Sequence, residues 1–266
     1  MKINPIDSLI EKLAKGFANT ADFGKLQETE EGRKMFDFVV KSISEMDTFQ
    51  SLFLNYYIPA SNKSIADSWT QISKSKYKHL LNIKKEDLKE NLYETIRLGY
   101  IGLFHKYESY LKALVGATDF LMKDVNEEND LLNIKEYCQK EYGINIYKSH
   151  NHFPITNRIN YISNCIKHYD GFPIKEPIHP EFESYDKNEK IKHSRDIFKS
   201  DIERLKIHCE LLLSQLMAMG FKQYMDLDFE TIQKSLKPEL AEKLDTKEKI
   251  SKIRKDFDFL LSDFRK

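Results

Sequence analysis

Glycine and proline are scarce in this chain of 266 residues, 9 and 7 in all, too few for the tight turns of a fold built from many short strands. Cysteine is scarcer still. Cys138, Cys165 and Cys209 stand far apart, make no CxxC pair and leave no even set for a disulfide framework, so a reducing cytoplasm is the expected compartment. No apolar run of about 18 residues is present to span a bilayer. Charged residues also interrupt the sequence after Met1 before the apolar centre of a signal peptide forms, so neither secretion nor membrane insertion is expected. Charge of one sign is missing as well. The 42 Lys and Arg balance 42 Asp and Glu, which leaves no global field to gather nucleic acid or membrane, and any RNA binding must come from a local patch.

Several motifs are missing too. The chain contains no GxGxxG, Walker lysine loop, GxSxG or HExxH sequence, which removes the usual support for dinucleotide binding, NTP hydrolysis, α/β-hydrolase and metalloprotease chemistry. Nothing marks a DNA-reading element, and neither an internal repeat nor a low-complexity tract is found. Arginine is rare, seven residues in a lysine-rich sequence, and each is worth locating because lysine cannot reproduce its planar fork.

What remains is a sequence rich in charged residues, 32% of the total, with apolar residues at helical spacing. The expected fold class is all-α. Helices are expected over residues 7–17 and 28–57, the second interrupted by Pro59 and the Ala60-Ser61-Asn62-Lys63-Ser64 run. A long core helix follows over 86–122, where Ile96, Tyr100, Leu103, Phe104, Tyr107, Leu111 and Leu114 recur at steps of three and four. A short helix is expected over 131–142, ending before Gly143. The next helix carries Ile155, Ile159, Ile162 and Ile166, with Thr156 or Asn157 as its cap, and stops at Asp170-Gly171. A proline-rich loop over 170–189 precedes a helix over 194–219. The tail offers a short helix near Phe229 and an amphipathic one with Ile250, Ile253, Phe257, Leu260, Leu261 and Phe264 on one side. These elements divide into an N-terminal helical segment (1–85), a central bundle (86–220) and a C-terminal extension (221–266).

The central bundle holds the candidate chemistry. At roughly 100° per residue the four isoleucines share a narrow arc, and Asn157, Asn160, Asn164 and His168 gather opposite. Asn is a poor helix former, and Lys or Glu would ordinarily fill solvent positions. The stripe is either a solvated face in an Asn-tolerant sequence or a polar seam against another helix or subunit. On the long helix His105, Glu108 and Lys112 share a flank. Glu108 either pairs with Lys112 along its own helix or holds a His or Asn of the neighbouring one. Two weaker groups are His150, His152 and His179, which lack the further ligands a zinc site needs, and Lys74, Lys76, Tyr77, Lys78 and His79. The second group is either a solvated loop or a patch for phosphate and a stacked base.

The segment Asn164-Cys165-Ile166-Lys167-His168-Tyr169-Asp170-Gly171-Phe172-Pro173 resembles the signature region of HEPN proteins, in which a helix ends in an Arg-Asn pair, a few residues and a His. The stretch Arg97 to Tyr110 resembles the long family helix that faces that motif. The resemblance covers about residues 86–220 and implies a HEPN-like bundle that acts on RNA in a prokaryotic defence or toxin-antitoxin setting. One departure stands out: Ser163 occupies the place of the family's Arg, and Arg158 lies about 15 Å from His168 along the helix axis. By the same resemblance cleavage is independent of metal and cofactor. The 2′-hydroxyl attacks the adjacent phosphate, with His168 as base, Asn164 beside it, a cation supplied by Lys167, by a lysine from elsewhere or by an Arg of a partner chain, and Glu108 as the orienting carboxylate. A homodimer, or a heterodimer with a related chain, is implied. The alternative is a non-catalytic binding or regulatory subunit that dimerises or scaffolds a defence complex.

Overall fold

The computed structural model describes residues 30–117 and 153–226, with Glu136 and Gln139 as separate helical positions between them. The helices expected over 7–17, near Phe229 and over 250–264 lie outside the described residues, as do most of 131–142, Cys138, His150 and His152. The protein is all-α. Its helices are α1 (Glu30–Ser51), α2 (Ile58–Lys74), α3 (Lys85–Ala117), α4 (Phe153–His168) and α5 (Arg195–Asp226), and no strand occurs among the described residues. No described helix is long and apolar enough to cross a membrane.

The chain forms two compact units, Ser42–Tyr110 with Pro154–Ile207, and Met1–Lys41 with Leu111–Phe153 and His208–Lys266. The second contributes Phe38, Val39, Leu114, Ala117, Cys209, Leu212 and Leu213 as buried residues. The first carries the candidate site. Its core takes Ile96, Tyr100, Leu103 and Tyr107 from α3, Ile155, Ile159 and Ile162 from α4, and Phe198, Ile202 and Leu205 from α5, the three- and four-residue spacing that places side chains on one helix face. Two glycines let neighbouring rings reach the α3 backbone: a Cβ on Gly99 would meet Phe198 at 2.5 Å, and one on Gly102 would meet Phe49 at 3.0 Å. This close packing explains glycine in the interior of a 33-residue helix, where its propensity is poor.

Pro59 does not end the N-terminal helical run, contrary to the sequence expectation. Residues Leu52–Tyr57 form a π-helical turn between α1 and α2, and Pro59 sits in the first turn of α2, where a missing N–H costs least. The Ile58 N–H donates to the Phe53 carbonyl, five residues back. By the same register the Leu54 carbonyl would face Pro59, which has nothing to donate. Arg195 supplies the donor instead, with Nη2 at 3.4 Å from that oxygen.

The cap expected at Thr156 or Asn157 is also corrected. Helix α4 begins at Phe153 with Pro154 in its first turn, the position that suits proline's fixed φ, and Thr156 is buried within the helix. Its other end falls where expected. Asp170 (φ 52°) and Gly171 (φ 85°) adopt left-handed backbone, and the N–H groups of Tyr169 and Gly171 both return to the Cys165 carbonyl at 3.0 Å, satisfying an oxygen the helix leaves open. At the start of α5 the Ser194 hydroxyl accepts from the Ile197 N–H at 3.2 Å, an ordinary N-cap.

Candidate functional site

Helix α4 ends in an exposed pair, Lys167 and His168. One turn earlier Asn164 is half-buried, and its Nδ2 donates to the Asn160 carbonyl at 2.9 Å and to Asn160 Oδ1 at 2.6 Å. Among the described residues the asparagine stripe is neither wholly solvated nor bonded to a second helix: Asn157 is exposed, Asn160 and Asn164 bond along their own helix, and His168 stands open at the end. The Lys167 ammonium lies 5.6 Å from the centre of the Phe104 ring on α3, a cation–π distance. Glu108 is one turn further along α3 and exposed. Phe104 and Glu108 are four residues apart and share a face, so Glu108 lies beside the residue that Lys167 covers. Among the described residues no hydrogen bond or ion pair joins Glu108 to Asn164, Lys167, His168 or Lys112.

Behind this open edge lies a buried polar cluster centred on Arg158. Its Nε donates to both oxygens of Asp201, at 3.2 and 3.0 Å, its Nη1 bonds Glu181, and its Nη2 is 3.5 Å from His193 Nε2. The Phe182 ring lies 5.5 Å from the guanidinium carbon. Tyr100 donates its hydroxyl proton to Asp201 at 2.6 Å, and its oxygen is 2.9 Å from His193 Nδ1. Since the phenolic proton is committed to Asp201, His193 must donate from Nδ1 and keep a lone pair on Nε2 toward Arg158. The imidazole is therefore neutral.

The titration behaviour follows from this geometry. Burial, and then the neighbouring guanidinium, press the His193 pKa down to about 3. Burial together with Asp201 pushes the Tyr100 phenol far above its ordinary range. For Arg158 burial opposes the charge, but Asp201, Tyr100 and Glu181 outweigh it and the pKa rises. The cluster draws on α3, α4, α5 and the loop between α4 and α5. Arg158, His193 and Asp201 are each at most 7% exposed, and the cluster ties the loop to α4 from inside.

A second arginine completes the clamp. Arg97 on α3 is buried, with Nε donating to Glu94 at 2.9 Å, Nη1 to the Ile191 carbonyl at 3.1 Å and Nη2 to Glu90. Gly171 is seated on it: a Cβ there would meet Arg97 Cδ at 3.0 Å. The Gly171 carbonyl accepts from the Ile191 N–H at 2.8 Å, and Lys190 pairs with Asp170 at 2.7 Å. Both ends of the loop are thereby tied together below His168.

Sequence reasoning put Arg158 aside for its distance from His168 and passed over Tyr100, Glu181, His193 and Asp201. The available signal was the rarity of arginine: Arg97, Arg158 and Arg195 each bridge separate elements. Ser163 is fully buried, and its hydroxyl finds no partner among the described residues. An arginine there would point into the core instead of toward His168. His179 is tied to the loop, accepting from the Glu181 N–H at 3.3 Å, and burial lowers its pKa. No group of three or more His, Cys, Asp or Glu that could hold a metal occurs among the described residues. No protein-family model, no curated protein and no solved structure matches the chain.

Proposed function

We propose that this chain is a HEPN-like protein that acts on RNA at the exposed end of α4. The observation that carries the reading is the side-by-side exposure of Lys167 and His168 at a helix end held by a rigid clamp. A neutral imidazole offers a ring nitrogen that can accept a proton, and an adjacent ammonium suits a phosphate. In the reaction His168 takes the proton of a 2′-hydroxyl, O2′ attacks the neighbouring phosphorus and the P–O5′ bond breaks. The products are a 2′,3′-cyclic phosphate and a 5′-hydroxyl whose proton comes from solvent or from the imidazolium. Lys167 offsets charge on the phosphorane oxygens. Asn164 stands one turn earlier on α4 and must release its Nδ2 from Asn160 to donate there, and Glu108 is the exposed carboxylate on the same edge that would orient the cation or the imidazole once RNA is bound. No metal or cofactor takes part. A homodimer, or a heterodimer with a related chain, would set two such ends face to face in the cytoplasm of a prokaryote, in a defence or toxin-antitoxin role.

Purified protein incubated with single-stranded and structured RNA in EDTA tests this. We expect cleavage to cyclic phosphate ends, with His168→Ala slowing it at least about a hundredfold, the scale of a lost general base. Equal cleavage by the variant rejects the site.

A second reading is favoured by the burial of Ser163. With no arginine available at that position, the α4 end would bind RNA or a partner chain without turnover, as a regulatory or scaffolding subunit. RNA binding weakened by Lys167→Glu, with no cleavage in the parent protein, is the outcome this reading expects.

A further inference from the structure

The connector between α2 and α3 combines two properties that folded surfaces ordinarily keep apart. Together with Lys74 at the end of α2 and Lys85 at the start of α3 it presents Lys76, Lys78 and Lys84, with His79 among them and no acidic residue from 74 to 85. Among the described residues none of these five ammonium groups forms an ion pair. The same stretch displays Tyr77, Leu80, Leu81 and Ile83 as exposed large hydrophobics, Leu80 at 70%. Every residue from Lys76 to Asp87 is exposed.

The connector nevertheless has a defined backbone. The N–H groups of Lys78, Leu80 and Leu81 donate to the carbonyls three residues back at 3.1, 2.8 and 3.2 Å, forming a 3₁₀ turn over Lys78–Leu80. The Lys84 N–H donates to Asp87 Oδ2 at 2.8 Å. Its leucines are therefore presented on a built turn, outside the core formed by the described residues.

We infer that this connector is a docking surface for an anionic lipid bilayer. Contiguous exposed apolar residues mark an interaction site, and uncompensated lysines select a partner of negative charge. Single-stranded RNA would answer the charge, and Tyr77 and His79 could each stack a base, but it would leave Leu80, Leu81 and Ile83 unanswered. A bilayer surface answers both. Leu80, Leu81 and Ile83 enter the boundary of headgroups and acyl chains, Tyr77 sits at headgroup level, and the lysines extend their stems to reach anionic lipid. Because the chain has zero formal charge, attraction from a distance is weak and the patch alone must carry the contact. Such binding lies on the surface and needs no spanning helix.

Co-flotation of the full chain with phosphatidylcholine vesicles, with and without phosphatidylserine, tests the inference. We expect binding only to vesicles containing phosphatidylserine, falling as salt screens the lysines. Lys76→Glu with Lys78→Glu, and separately Leu80→Ser with Leu81→Ser, should each weaken it at least about tenfold. All four positions are exposed, and an unchanged thermal transition verifies that the variants fold. Absent vesicle binding, or binding indifferent to both pairs, overturns the inference. So does binding of a single-stranded RNA oligonucleotide that is lost with the lysine pair and kept with the leucine pair, which would make the connector a nucleic-acid contact instead.

Discussion

The Arg158 cluster and the connector over residues 75–84 treat charge in opposite ways. In the cluster every polar atom of the guanidinium has a partner inside the protein, from Asp201, Glu181 and His193. In the connector no lysine forms an ion pair among the described residues, Lys76 meeting only the Tyr77 ring at 4.9 Å, and apolar side chains stand beside them in water. A cation taken out of solvent must be answered in full, whereas one left in solvent is held by water and is available to a partner. The difference separates a region that stabilises the fold from one that the fold merely carries.

The sharpest way to break that contrast is to remove Arg158. Arg158→Ala leaves buried Asp201 with the Tyr100 hydroxyl and only the Arg204 guanidinium at 3.9 Å, and we expect a loss of about 3–5 kcal/mol, read by urea unfolding. Replacing both partners with apolar residues, Arg158→Met with Asp201→Leu, should recover much of the loss, because an unanswered buried charge and not the missing attraction dominates the cost.

The next effect is on pH. Folded His193 stays neutral down to about pH 3, whereas in the unfolded chain an imidazole takes its proton near 6.5. As the pH falls the unfolded chain gains the proton first, so the stability linked to this residue is full above about 6.5 and drains away toward about 3. Unfolding free energies compared at neutral and mildly acidic pH should differ less in His193→Gln than in the parent protein.

The smallest effect belongs to the connector. The charge reversals and leucine replacements described above should leave stability within about 0.5 kcal/mol of the parent, as for surface sites without special contacts. A larger change in urea unfolding would mean that the connector packs against the core and that the contrast fails.

Much of the fold was legible in the residues. The spacing of Ile96, Tyr100, Leu103 and Tyr107 gave a core face that the structure buries, and Asp170-Gly171 marked a helix end that the left-handed backbone confirms. Periodicity reports which side of a helix is apolar, and that information is local. It could not show what answers the charge of Arg158, since its partners Glu181, His193 and Asp201 are 23, 35 and 43 residues away. Nor could it show that Ser163 is enclosed, because a hydroxyl reads as polar whether or not it meets water. The exposure of Lys167 and His168 was within reach, as they fall off the isoleucine arc at the last turn.

The π-turn at Leu52–Tyr57 bears on how this protein can vary in length. Removing one residue from an α-helix swings everything beyond it by about 100°, which would carry Ile58 and Ile65 out of the core. A turn with i→i+5 bonding already holds a residue more than the α pattern needs, so a deletion there can be absorbed by tightening the turn while the flanking helices keep their alignment. Pro59 sets the condition. In the tightened turn its ring would press on a carbonyl four positions back, so the shorter chain becomes workable only once that proline is exchanged for a residue with an N–H.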